Sequence, residues 1–494
     1  MSVLKQLAFD LGAESGRAIL GQFDGEKISL LDIHRFNNPS ITLPDGIHWD
    51  TLYLWGEIKR GLALASHEHG KELASVGLDT WGVDFGLLDA NGNLIYNPYH
   101  YRDGRTDGLV EEACKIIPRQ EIFDQTGIQF LQLNSLYQLF AFVRQNAPGL
   151  QIAQTFLTMP DLLNYWLTGR KVCEFTNATT TQCYNPRTGT WAKEMVERLG
   201  IPSRIFPEIV SPGTVLGNLS NYVSEEIGSK GFPVIAPACH DTGSAVAAIP
   251  AAKPGFAWIS SGTWSIMGAE VRQAVISPKA LQYNFTNEGG VDGTYRLSKN
   301  IMGLWLVQES RRTWAKQGEE LSYDEITRLA AEAKPLQSVI DVDWAGFGKP
   351  GDMPARIRDY CQRHQQPIPE TKGAVIRCAL ESLALKYRWV LEKLEDLLGY
   401  RLEPLHIVGG GTKNRLLSQF TADAIGRTVI TGPVEATATG NLLVQAVALG
   451  KIDSISEARE IVRHSFDVSV FEPRPGCGWD EAYERLLTLM EQAT

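Results

Sequence analysis

Three chemically capable side chains, Cys239, His240 and Asp241, stand side by side in the stretch PACHDTGSAVAAI. Their types allow a thiol nucleophile, a pair of metal ligands or a general base. They also allow a purely structural reading, because an aspartate ahead of T-G-S-A-V-A-A is a good helix-start residue. A second group is FDLGAESGR at residues 9–17, where Asp10 ends an apolar run and a glycine turn follows with Ser15, Gly16 and Arg17. A carboxylate beside such a turn suits hydrated magnesium and phosphate oxygens together. ISSGTWS (259–265) supplies another small hydroxyl-lined turn, and LHIVGGGTKN (405–414) a strand–glycine–helix junction where amide N–H groups converge on an anion.

Spacing excludes several chemistries. In the 405–414 junction Gly409 and Gly411 fit a dinucleotide fingerprint, but Asn414 replaces the third glycine. Thr431 and Gly432 stand where an acid should meet the ribose, so a dehydrogenase is disfavoured. The Gly-Lys pairs beginning at Gly70, Gly348 and Gly450 are followed by Glu72, Pro350 and Ile452, never by the serine or threonine of a P-loop. His240 lacks companion histidines in a metal-binding pattern.

These loops need a frame. QLAFDLG, RAILGQF and KISLLDIHRF read as three strands in a meander, with Asp24-Gly25 as a hairpin signal. ASVGLDTWGVDFGLLDANGNLI repeats the device, with Asn91-Gly92 as its turn. LYQLFAFVRQNA is helical, and GFAWISSGTWSIMGAEV again gives strand, small turn, strand. Ile376, Leu380, Leu383, Tyr387, Val390, Leu394 and Leu397 share one face of a long helix. An α/β chain of 494 residues exceeds one ordinary core. The recurring strand–turn–strand unit predicts two similar α/β domains, residues 1–250 and 251–494, broken near IPAAKPG; one enlarged sheet with insertions is the other reading.

The net charge of −10 argues against a nucleic-acid or anionic-membrane surface. Seven scattered cysteines (Cys114, Cys173, Cys183, Cys239, Cys361, Cys378 and Cys477) form no C-x-x-C pair, so neither a zinc knuckle nor a disulfide framework is expected. MSVLKQLAFDLG reads as a first strand rather than a signal peptide, and no apolar run approaches membrane-spanning length. The expected compartment is the cytoplasm.

Taken in order along the chain, DLGAESGR, GLDTWGVDFGLLD, YRDGRTDG, GIQFLQLNSLYQL, TNATTTQ, CHDTGSAV, SSGTWSIMG, TNEGG, KNIMGLWLVQ, GGGTKN and GPVEATATGN resemble the FGGY carbohydrate kinases of the actin-like, hexokinase-like ATPase superfamily. The resemblance runs from the first strand to Asn441. It implies two actin-like (ribonuclease H-like) domains with an interdomain cleft, sugar on the N-terminal side and ATP on the C-terminal side. It implies γ-phosphoryl transfer from ATP, with Mg2+, to O1 of a ketose. L-rhamnulose is favoured by TWGVDF, KNIMGLW and GPVEA, with L-fuculose and other L-ketoses as competitors.

By the same resemblance, Ala13, Glu14, Ser15, Gly16 and Arg17 correspond to the first nucleotide-phosphate loop. Asp10 corresponds to the organiser of magnesium, and Thr263, Gln308 and Gly411 to further ATP contacts. Gly82, His240, Asp241, Thr242 and Asn300 correspond to the sugar site, with Asp241 the proton acceptor. By its own chemistry, Trp81 offers an apolar wall for the sugar. Glu14 is an acid where related enzymes carry a small residue; it points away from the phosphates or tunes the magnesium. Asp84 is open between cleft residue and bonded strand acid, and Thr179–Thr181 between cleft lining and strand. The expected partners are sugar and ATP, with no nucleic acid and no membrane, for a monomer or homodimer. The rival from another class is an actin-like ATPase switch; a sugar-binding regulator without catalysis would show a damaged acceptor or phosphate loop.

Overall fold

A computed structural model describes residues 3–70, 72–476 and 478–492; Cys477 and Lys71, the lysine of the Gly-Lys pair at Gly70, lie outside the described residues. The chain divides into two compact units. Met1–Ala252, Glu270–Leu297 and Ala436–Phe466 form the first, and Lys253–Ala269, Ser298–Glu435 and Asp467–Thr494 the second.

The first unit is built on the predicted meander. Strands Leu4–Leu11, Ser15–Phe23 and Ile28–Asn37 pair antiparallel in sequence. On its other side Leu4–Leu11 pairs parallel with Leu73–Thr80, followed by Pro233–Ala236, also parallel, and the antiparallel edge Thr214–Asn218. Alternation explains the layering: one face of these strands joins helix Thr51–His69, whose Leu54, Ile58, Leu62 and Ala65 pack into a common core with Leu7, Phe9 and Leu20. Asp50 caps that helix, its carboxylate accepting from Tyr53 N at 3.0 Å.

Helix Ala436–Ala448 packs on the same unit. Glycines make the approach feasible: a Cβ on Gly77 would lie 2.5 Å from Asn441 Oδ1, and one on Gly21 would lie 2.6 Å from Leu442. The space admits a polar chain. Ser75 Oγ donates to Gln445 Oε1 at 2.7 Å, Gln445 Nε2 donates to Asn441 Oδ1 at 2.6 Å, and Asn441 Nδ2 donates to Asp79 Oδ2 at 2.5 Å. Every member is buried, so each bond replaces lost water.

The second unit repeats the opening arrangement. Ala257–Ser261 and Trp264–Val271 form an antiparallel pair, and Leu405–Val408 lies parallel against Ala257–Ser261. Val429–Thr431 continues parallel, and Ser469–Phe471 closes that side antiparallel. The long helix spans Lys372–Leu398 and buries the predicted face from Ile376 to Leu394, with Leu397 half-buried. No described helix is long and apolar enough to cross a membrane.

One contact sets how closely two helices meet. A Cβ on Gly440 would fall 1.8 Å from the carbonyl oxygen of Ser244, on helix Asp241–Ala247. Gly440→Ala must therefore part these helices, at a cost of about 1–3 kcal/mol. Thermal unfolding should show a clearly lowered Tm; an unchanged Tm would show that the helices separate freely.

Candidate active site

The loop carrying Cys239, His240 and Asp241 is fixed mainly through its backbone. Glu174, fully buried, accepts from Cys239 N at 3.0 Å, and Thr176 Oγ1 accepts from His240 N at 3.0 Å. Thr80 N donates to Cys239 O at 2.9 Å, which ties the loop to the end of strand Leu73–Thr80. Glu174 also caps the short helix Phe175–Ala178, taking Thr176 N at 2.9 Å and Thr176 Oγ1 at 2.5 Å. Burial nevertheless pushes its carboxyl up to about 7. Behind it, Asp161 accepts from Glu174 N at 3.0 Å and from the Thr158 hydroxyl, and burial pushes it up to about 8.

The helix after the loop starts one residue earlier than its aspartate suggests. His240 occupies the N-cap position and Asp241 is the first helical residue, so the expected aspartate cap is corrected. Asp241 Oδ1 accepts instead from Thr242 N at 2.5 Å and from Thr242 Oγ1 at 3.0 Å. Those bonds occupy one carboxylate oxygen. Oδ2 takes no hydrogen bond among the described residues, and the side chain keeps 31% exposure. Cys239 is fully buried, and burial followed by Glu174 pushes its thiol well above the ordinary range, which removes it as a nucleophile.

Two further carboxylates lie within the same sheet. Asp10 and Asp79 are register partners on parallel strands, 3% and 0% exposed. Arg17, opposite Asp10 on the neighbouring strand, brings its guanidinium within 3.1 Å of Asp10 Oδ2. Burial first, then the charge of Asp10, pushes Asp79 well above the ordinary carboxylate range. The turn beside them, Gly12 to Ser15, closes with Gly12 N donating to Ser15 O at 2.9 Å. Asn38 braces it, donating through Nδ2 to Gly12 O at 2.9 Å and through its amide to Glu14 O at 3.0 Å. Ala13 is half-buried, Glu14 and Ser15 are exposed, and Gly16 is buried where a Cβ would strike Phe36 at 2.4 Å.

Asp84 resolves into a buried bonded acid. It accepts from Trp49 Nε1 at 2.6 Å, Trp81 Nε1 at 2.9 Å, Gln138 Nε2 at 2.7 Å and Tyr101 N at 3.2 Å, while burial raises it to about 6. It thereby fixes both indoles, whose ring centroids are 3.9 Å apart. Gly82 sits in the turn between, where a Cβ would come within 3.0 Å of Thr180. Thr179–Thr181 is a buried 3-10 turn rather than a strand; its hydroxyls bond back to the carbonyls of Thr176, Asn177 and Ala178.

The remaining candidates belong to the second unit. Thr263 lies in the turn joining Ala257–Ser261 to Trp264–Val271, where Gly262 N donates to Trp264 O at 2.8 Å and Trp305 N donates to Thr263 O at 3.2 Å. Gly411 packs against the end of strand Ala257–Ser261: a Cβ there would stand 2.0 Å from Ser261 Oγ, so only glycine lets the two segments touch. Asn414, which broke the dinucleotide pattern, is the N-cap of helix Arg415–Ile425, accepting from Leu417 N at 3.0 Å. Gln308 is half-buried on helix Trp305–Lys316, and its buried Oε1 has no hydrogen-bond donor among the described residues. Asn300 is half-buried on strand Tyr295–Met302.

Sequence reasoning missed Glu174, Asp161 and Asn177, whose Nδ2 donates to Trp81 O at 3.2 Å. It also gave no role to Glu288 or Arg296, which flank His240. TNEGG and TNATTTQ were visible as motifs, but nothing local links them to residue 240.

A part-exposed carboxylate on a backbone-tethered loop, paired acids beside a glycine turn, and glycine-packed loops on a repeated α/β unit are the features a two-domain phosphotransferase of actin-like fold would need. The comparisons with known proteins agree. The N-terminal domain of the FGGY family of carbohydrate kinases matches residues 6–248 and its C-terminal domain residues 257–449. A rhamnulokinase of Bacteroides thetaiotaomicron is 44% identical over 96% of this chain and 97% of its own length. A rhamnulokinase of Oceanobacillus iheyensis is 43% identical over 94% and 97%. The crystal structure of gluconate kinase from Lactobacillus acidophilus superposes with a TM-score of 0.81 at 17% identity, covering 99% of this chain and 98% of that one. The chain belongs to the FGGY family of carbohydrate kinases.

The buried acids predict a pH signature. With its carboxyl raised to about 8 from an ordinary 3.8, Asp161 holds a proton in the folded chain that the unfolded chain releases. Its contribution to stability is present below pH 3.8 and is lost as pH rises through 8. Asp161→Asn should flatten the fall in urea midpoint between about pH 5 and pH 8. An equally steep fall in the variant would remove Asp161 as its source.

Proposed function

We propose that this kinase transfers the γ-phosphoryl group of ATP to O1 of L-rhamnulose, giving L-rhamnulose 1-phosphate and ADP. The observation that carries the reading is the Asp241 carboxylate, locked through Oδ1 and open at Oδ2, on a loop whose backbone is tied to Glu174 and Thr176. The sugar named here follows the near full-length likeness to rhamnulokinases.

In this mechanism O1 attacks the γ-phosphorus, the new O–P bond forms, and the bond to the leaving ADP oxygen breaks. The O1 proton passes to Asp241 Oδ2. Phosphoryl transfer requires little covalent help, so positioning and charge neutralisation supply most of the rate. His240, Thr242, Gly82 and Asn300 are read as holding the sugar, with Trp81 held by Asp84 as its apolar wall. Ala13, Glu14, Ser15, Gly16 and Arg17, with Thr263, Gln308 and Gly411, are read as the nucleotide contacts; the donorless Oε1 of Gln308 supports this.

The residues fit a magnesium ion at Asp10. Two buried acids in register repel each other, and a dication beside them relieves that repulsion. Among the described residues no three acidic, histidine or cysteine side chains close on a common point, which suits an ion held largely by water and phosphate oxygens. When bound, such an ion neutralises charge on the transferring group. The six described cysteines are all free thiols, which supports the cytoplasm as the compartment.

Asp241→Asn should lower kcat by about 10²–10⁴-fold while ADP affinity, measured by titration calorimetry, stays near wild type. Full turnover by the variant in a coupled ADP assay would eliminate Asp241 as acceptor. A panel of L- and D-ketoses should give the highest kcat/KM with L-rhamnulose; preference for L-fuculose would reassign the sugar.

A further inference from the structure

The TNEGG stretch places a second carboxylate against His240. Glu288, 5% exposed on strand Thr286–Gly289, brings Oε2 within 3.2 Å of His240 Nδ1. Arg296, fully buried, points its NH2 group at the same ring nitrogen at 2.9 Å and lies 3.2 Å from Glu288 Oε2. Arg296 Nε is anchored on Gly289 O at 2.8 Å. One nitrogen thus faces both an obligate donor and an obligate acceptor.

The conflict has a chemical resolution. A guanidinium only donates, so a bond from Arg296 requires a lone pair on Nδ1. A neutral imidazole then carries its single proton on Nε2. Nε2 lies 3.4 Å from Asp241 Oδ1, an oxygen already taken by both donors of Thr242. That distance is long for a hydrogen bond, so the Nε2 proton remains available to a ligand oxygen. Glu288 supplies the charge that permits this arrangement, because a guanidinium buried without a counter-ion is strongly destabilised. Without Arg296 the logic reverses: Nδ1 would donate to Glu288, and Nε2 would face the site as an acceptor.

We infer that Glu288 and Arg296 are positioning residues for the phosphoryl transfer, fixing His240 as the Nε2–H tautomer so that it donates to a sugar oxygen beside Asp241. Neither residue touches substrate in this account; both act through the imidazole. The inference rests on the sugar-kinase reading for its consequence, but the tautomer is decided by the protein alone.

The test labels histidine with 15N in the full-length enzyme and assigns His240 by its absence in His240→Gln. Two-bond 15N–1H correlations should report Nε2–H in the wild type and Nδ1–H in Arg296→Met. Glu288→Gln should raise KM for the ketose at least about tenfold, with KM for ATP changed less than about twofold and Glu288→Asp recovering part of the loss. Glu288→Gln/Arg296→Met, which removes the charges as a pair, serves if a single variant does not fold; it should show the same selective rise in ketose KM. A wild-type Nδ1–H tautomer, or an unchanged ketose KM in a folded variant, overturns the inference. If the wild type fails to phosphorylate L-rhamnulose, the reading of the reaction falls instead, while the tautomer measurement still decides the role of the pair.

Discussion

A carboxylate buried away from water must gather donors or a counter-ion, and Glu174 gathers the backbone of the loop that carries Asp241. Its oxygens take Thr176 N, Thr176 Oγ1 and Cys239 N, while its own amide is held by Asp161. Asp241 therefore follows directly on a relay of amide–carboxylate bonds beginning on helix Met159–Thr168. Such a mount resists displacement because each link, if broken, leaves a buried carboxyl or amide unsatisfied. Pre-set geometry of this kind is what phosphoryl transfer rewards, since the protein contributes placement more than bond-making.

Charge is handled differently at the two groups of candidate residues. Around Asp10 and Asp79 the sheet stores acid beside acid, relieved in part by Arg17 and by the amide of Asn441. A protein of net charge −10 has no global attraction for an anionic nucleotide, so local groups must supply it. In the second unit, glycines at 409 and 411 let one loop close on Ser261. The left-handed conformation of Gly409, at φ 90°, leaves that position to glycine alone.

The sequence displayed what is local. Hairpin turns, the amphipathic run within Lys372–Leu398 and the glycine loop at 409–411 all rest on spacing of a few residues, and the structure has them. The repeated opening of the two units was legible for the same reason. The wider family was legible because many short motifs keep one order. What was not legible depends on distant pairing. Glu174 reaches Cys239 across 65 positions and Arg296 reaches His240 across 56, so no periodicity announces either contact. The cap assignment failed by one residue because helix-start preferences do not distinguish an aspartate at the N-cap from one in the first turn. Of the two readings left open for Thr179–Thr181, the strand is excluded: back-bonding hydroxyls and burial of that turn override β-propensity.

In the proposed reaction the Asp241 loop presents its carboxylate to a primary hydroxyl of a ketose. The most direct measurement is proton-coupled 31P NMR of the product formed from L-rhamnulose and ATP by the wild-type enzyme. Transfer to O1 leaves the phosphate on a carbon bearing two protons, so the phosphomonoester resonance should be split into a triplet. A doublet, from transfer to a secondary hydroxyl, or release of inorganic phosphate alone would contradict it.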